Sequence, residues 1–141
     1  MADVTVTDTA VFVADSVRVS SVEAGAVITA GKVLVYDPVD QDYILASNST
    51  LALSGNGGAN QIVLAVGGVA AAGQRISVVG AGVDVTLGGG LTTGRVYVLS
   101  ASGAISPESD NTTNDWVTII GYAKSSTVLF FNPQSTGIQI Q

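Results

Sequence analysis

The sequence predicts an all-β fold: a single compact antiparallel β-sandwich or β-barrel of short strands, with an N-terminal arm. Three observations carry this. Short runs rich in valine, isoleucine and threonine are separated by glycine, serine and asparagine. Turn signals recur about every eight to twelve residues, the spacing of a sandwich or barrel. No segment has the length of a stable helix; Ala70-Ala71-Ala72 is too short a run of helix-friendly residues. At 141 residues the chain fits one domain, divided here into an arm over 1–9 and a β-domain over 10–141.

The arm is polar, with Val4 and Val6 alternating along it, and such termini are mobile unless another surface ties them down. Residues 11–20 alternate as a half-buried strand, with Val11, Val13, Val17 and Val19 on one face. Asp15 falls on that apolar face and predicts a bulge or a strand break. Residues 23–31 form a glycine-bounded connection. Residues 32–36 and 43–46 read as paired strands, and the link Asp37-Pro38-Val39-Asp40-Gln41-Asp42 has turn chemistry. Residues 47–60 are expected to be an exposed loop, with room for a short strand at 50–53. Residues 61–66 are wholly apolar apart from Gln61 and read as a core strand.

Gly80-Ala81-Gly82 reads as a hairpin loop between strands at 75–79 and 83–87. Residues 95–99 form a further strand, in which Val96 and Val98 alternate against Arg95, Tyr97 and Leu99. A second polar loop spans 106–114. Trp116 opens a strand that turns at Lys124-Ser125-Ser126 into another over 127–131. Asn132-Pro133 is expected to stop that strand, and 137–141 to add a short edge strand or to pack on a neighbour. No repeat recurs at a fixed period, so a solenoid is not expected.

Composition narrows the function. Hydrophobic residues make up 47% and charged residues 11%, against about 25% charged in an ordinary domain. So little charge suits a subunit packed against others, and equally a surface rich in Ser, Thr and Asn. The net charge is −6, and the five basic residues, Arg18, Lys32, Arg75, Arg95 and Lys124, are scattered. Without a basic stripe, nucleic acid and anionic membranes are disfavoured as partners. Cysteine and histidine are absent, which removes disulfides, imidazole or thiolate metal sites, a histidine base and a cysteine nucleophile. The acidic start, Met1-Ala2-Asp3, shows no signal peptide, and the longest apolar run, 62–72, is too short to span a bilayer. Residence in a cytoplasm until lysis is the expectation.

From residue 72 onward an ordered set of phrases appears: Ala72-Gly73-Gln74, a β-run, Val85-Thr86-Leu87-Gly88, Leu91-Thr92-Thr93-Gly94, Val96-Tyr97-Val98-Leu99-Ser100, Gly103-Ala104-Ile105-Ser106-Pro107, Trp116-Val117-Thr118-Ile119-Ile120-Gly121-Tyr122-Ala123 and Thr127-Val128-Leu129. Upstream stands Ile28-Thr29-Ala30-Gly31-Lys32-Val33-Leu34-Val35-Tyr36. The set resembles the capsid cement, or head decoration, proteins of tailed bacteriophages over about two thirds of the chain. It is a pattern of glycines and β-branched residues, with no catalytic motif to carry over, and residues 47–66 depart from it. The resemblance implies a non-enzymatic virion protein without a cofactor, made in the bacterial host cytoplasm and placed on the capsid exterior. It implies the major capsid protein as partner, and self-association as a trimer or a dimer.

Asp37, Asp40 and Asp42 offer oxygen ligands of the kind calcium takes, but without a calcium-loop pattern they read as turn-stabilising acids. Glu108, Asp110, Asn111, Asn114 and Asp115 read the same way, and a carboxylate-pair glycosidase lacks rigid placement for its acids. Gly55-Asn56-Gly57-Gly58 and Gly88-Gly89-Gly90 lack the context of phosphate loops and read as turns or close backbone approaches. Trp116, Tyr122, Phe130 and Phe131 read as core or as a binding surface. Phe130 and Phe131 must point to opposite faces, so one of them is a candidate contact. Val4, Val6 and Phe12 are candidates for strand addition onto a shell or neighbour. The alternative function is a carbohydrate- or host-surface-binding β-module, for which aromatics or calcium in the 47–60 and 107–115 loops would speak.

Overall fold

A computed structural model of the chain describes residues 3–56, 62–69, 71–108 and 111–141. Two five-stranded antiparallel sheets face each other. The first holds β1 (Ser20–Glu23), β2 (Val33–Asp37), β3 (Asp42–Leu45), β4 (Ile62–Ala65) and β5 (Arg75–Val79), in the order β1-β5-β4-β2-β3. The second holds β6 (Val83–Thr86), β7 (Val96–Leu99), β8 (Ile105–Pro107), β9 (Trp116–Ala123) and β10 (Val128–Gln139), in the order β6-β10-β9-β7-β8. This is the sandwich rather than the barrel. Short 3-10 turns at Asp8–Ala10 and Ala101–Gly103 complete the elements among the described residues.

The main core lies between the sheets. Val33, Val35, Leu64 and Val79 meet Val85, Leu99, Ile120, Leu129 and Phe131 across it. Strand alternation sends Leu34, Val63 and Val78 to the opposite face of the first sheet, where they form a second apolar cluster with Ala24 and Ile28. The connection after β1 is held over that face by mutual backbone bonds between Ile28 and Val69, at 3.3 and 2.8 Å. The first sheet is therefore covered on both sides, which is why β4 reads as an unbroken apolar run and is buried throughout.

The hairpin β2–β3 forms as its turn chemistry requires, with Tyr36 opposite Tyr43. Other expectations are corrected. Gly80-Ala81-Gly82 is not a hairpin loop: β5 and β6 lie in different sheets, and Gly82 N–H donates to the Phe131 carbonyl at 2.7 Å. Residues 11–19 form no strand; a turn interrupts them at Asp15, where Val17 N–H donates to the Ala14 carbonyl at 2.9 Å, and only Phe12 bridges to Thr86. The break falls where Asp15 contradicts the alternation. Residues 106 and 107, read as the start of a polar loop, belong with Ile105 to the buried strand β8. Pro133 does not stop β10. It sits where the pairing with β9 shifts register between Phe131 and Gln134, a position that requires no ladder N–H. The end of the chain consequently continues β10 instead of adding a separate strand.

The loop after β3 forms no strand at 50–53 and is not simply exposed. Ser47, Asn48 and Ser54 are buried polar residues. Asn56 clamps this loop to the second sheet: its Nδ2 donates to Ser54 Oγ (3.0 Å), Thr118 Oγ1 (2.9 Å) and the Val117 carbonyl (3.2 Å). Its Oδ1 accepts Gly137 N–H at 2.7 Å, and buried Thr118 donates Oγ1 to the Ser54 carbonyl at 2.6 Å. These bonds gather around the second register shift of β10, between Ser135 and Gln139, where ladder bonds are interrupted.

Candidate docking surface

Phe131 is fully buried, so Phe130, its neighbour along the strand, faces outward from the second sheet. The register then builds a row across four strands. Phe130 stands opposite Asp84 on β6 and Tyr122 on β9, and Tyr122 stands opposite Val96 on β7. The Tyr122 and Phe130 rings are 5.4 Å apart at 47°. Tyr122 is 44% exposed and Val96 39%. Phe12, 59% exposed, pairs with Thr86, itself opposite Val128, and so adds a parallel row at the β6 edge. A shallow groove of about 200 Å³ lies along the aromatic row, with Ile119, Asn132 and Gln134 on its walls.

A β-bulge aims this row. The pairing of β7 with β9 shifts between Tyr97 and Val98, and that of β9 with β10 shifts beyond Gly121. Gly121 packs so closely on β10 that a Cβ there would run into the Phe130 carbonyl oxygen. Ile120 points to the core and Tyr122 to solvent because of this extra residue. The rim is charged. Lys124 Nζ lies 3.0 Å from Asp84 Oδ2 and 5.9 Å from the Phe130 ring centre. The hydrogen bond it donates to Asp84, and then the Asp84 charge, hold the Lys124 ammonium above its ordinary pKa.

Val4 and Val6 do not extend away from the domain. Both are half-buried and pack against the main core, and Val4 N–H donates to the Ile105 carbonyl of β8 at 2.8 Å. Phe131 belongs to the core. Of the residues singled out as contacts, Phe12 and Phe130 share the outer face of the second sheet, while Val4, Val6 and Phe131 face inward. Tyr122 joins the face, as one reading of the aromatic group had it. Val96 was missed: it lies opposite core-facing Tyr97 and Leu99 by plain alternation, but which face of β7 is covered depends on strands far along the chain. Trp116 is half-buried at the far end of β9.

Two of the acids, Asp37 and Asp115, serve turns. Asp37, Asp40 and Asp42 place carboxylate oxygens within 4.8 Å of one another. Asp37 Oδ1 accepts Val39 N–H at 2.9 Å, which shapes the β2–β3 turn. Burial first, then the charges of Asp40, Asp37 and Glu23, raise the Asp42 carboxyl above its ordinary pKa. Asp115 Oδ2 accepts Thr112 N–H at 2.8 Å in a similar local turn. Asp110 lies outside the described residues. Among the described residues no helix is long and apolar enough to cross a membrane.

No family model matches the sequence, and no match is found among curated proteins or solved structures.

Proposed function

We propose that this chain is a structural protein of a phage particle that binds the outer surface of an assembled capsid and stabilises it by bridging neighbouring capsomers. The observation that carries the reading is the row Val96–Tyr122–Phe130, flanked by Phe12, on the outer face of the second sheet. Contiguous apolar surface on a folded domain marks a docking site more often than a decorative one. The ordered phrases that resemble cement proteins give the partner: the major capsid protein of an assembled head. A protein that binds only the assembled shell stabilises it by mass action, and contact with several capsomers multiplies modest affinities. Self-association, as a trimer or a dimer, would bring several such faces to one symmetry axis. The alternative of a glycan-binding module has less support, because residues 47–56 and 111–115 carry no aromatic side chain.

The test is co-sedimentation of the purified protein with undecorated phage heads, followed by electron microscopy of the pellet. Association is expected, with a loss of roughly tenfold or more in affinity for the double variant Tyr122→Ala, Phe130→Ala. Failure of the unaltered protein to associate would overturn the capsid reading. Equal binding by the double variant would remove the sheet face from it.

A further inference from the structure

The arm rests in a seat that the rest of the chain builds for an extended segment. Gly31, Gly88 and Gly90 line it, all at positive φ, and the space left by their missing side chains is filled by the arm. A Cβ at Gly31 would stand 2.5 Å from Val6 Cγ1, and one at Gly88 would stand 2.9 Å from Ala10 Cβ. At Gly90 the neighbours are the Thr5 carbonyl at 3.3 Å and Val4 Cγ1 at 3.4 Å. The backbone is fixed at both ends. Val4 N–H bonds to Ile105, and Phe12 and Thr86 exchange N–H···O bonds of 3.1 and 2.9 Å.

Every one of these partners lies at Gly31 or beyond, and none belongs to the turn that attaches the arm. That turn, residues 14–17, holds one backbone bond, and its Asp15 and Ser16 are exposed. Opening it would free residues 3–13, an extended reach of about 35 Å. A cavity of about 280 Å³ also remains beside Val4 and Val6, so the arm is held in its seat without being fully packed there. The contacts that seat the arm are the same whether it arrives from its own chain or from another. Exchanging an identical element through an exposed hinge is a low-cost route to oligomers.

We infer that the seat accepts the arm of a second copy of this chain, so that copies assemble by reciprocal exchange of residues 3–13. Exchange keeps every bond that seats the arm and gives up only the Val17–Ala14 bond of the turn. It also links subunits without consuming the outer face of the second sheet. The inference is independent of the capsid reading, since its test involves no capsid.

The absence of cysteine makes the test clean. Phe12 and Thr86 form a hydrogen-bonded antiparallel pair, whose Cα separation of about 5.5 Å suits a disulfide. A Phe12→Cys chain and a Thr86→Cys chain are mixed at high concentration, oxidised and run on a non-reducing gel. Exchange predicts a disulfide-linked pair at least about tenfold above a control mixture of Phe12→Cys with Val39→Cys, whose site is 86% exposed on a distant turn. Light scattering of the unaltered protein should show dimers or larger species. Cross-linking no greater than the control overturns exchange. The double variant in one dilute chain should close an internal disulfide and remain monomeric in size; if it stays reduced, the seat geometry itself is refuted.

Discussion

The polar clamp between Asn56 and Thr118 offers the sharpest test of the fold. In Asn56→Ala, the two hydrogens that Nδ2 shares among three acceptors and the one acceptance by Oδ1 disappear. Three of the abandoned partners keep other bonds: Ser54 Oγ still accepts Asn56 N–H at 3.3 Å and donates to the Leu51 carbonyl at 3.0 Å. Val117 still accepts Thr136 Oγ1 at 2.7 Å, and Thr118 still donates to the Ser54 carbonyl. At about 1 kcal/mol net per hydrogen bond, the loss discounted for those survivors is about 2–3 kcal/mol. Thr118→Val strips the buried Ser54 carbonyl of that donor and should cost about 1–3 kcal/mol. Because the two side chains bond to each other and share Ser54, the double variant should cost less than the two single losses together, by about 1 kcal/mol. Urea unfolding of the four proteins measures this, and the Asn56→Ala loss corresponds to a Tm drop of about 5–10 °C. Additivity within about 0.3 kcal/mol, or an Asn56→Ala loss below about 0.5 kcal/mol, would refute the clamp.

Three other outcomes are expected. Phe131→Ala should cost about 3–5 kcal/mol, whereas Phe130→Ala should cost under about 1.5 kcal/mol, and thermal melts of both would expose an inverted strand. Gly121→Ala should cost about 3 kcal/mol or more by driving a methyl into β10, and near-native stability in denaturant would mean the bulge is absent. The raised Asp42 carboxyl favours the protonated form in the folded state. Its stabilising effect is therefore present below the ordinary aspartate range and lost as pH rises through the folded value. Asp42→Asn should raise Tm at pH 7 and make little difference near pH 3; a lower Tm at pH 7 would contradict that sign.

What the sequence revealed was what neighbouring residues decide. The β2–β3 hairpin was legible because Pro38 and the aspartates shape the turn locally. β4 was legible because burial on both faces leaves no polar position. The break at Asp15 was legible as one charge on an apolar face. Gly80-Ala81-Gly82 misled because a glycine loop serves a hairpin and a crossing between sheets equally well. What separates the two is the pairing of β6 with β10, more than forty residues further along the chain. Pro133 misled for a related reason: the bulge that tolerates it depends on the register with β9. The docking face was half legible. The adjacent Phe130 and Phe131 announced that one ring faces out, but the row through Tyr122 and Val96 exists only once three strands are aligned.

The division of the chain at Gly80–Gly82 has a consequence in time. All strands of the first sheet precede it and all strands of the second follow it. A ribosome therefore completes one sheet's strands before starting the other's. The arm, made first, has its seat at Gly31, Thr86, Gly88, Gly90 and Ile105, most of it made much later. At about 5–20 residues per second, the first residues wait several seconds for their place. During that wait residues 3–13 have no complete seat on their own chain.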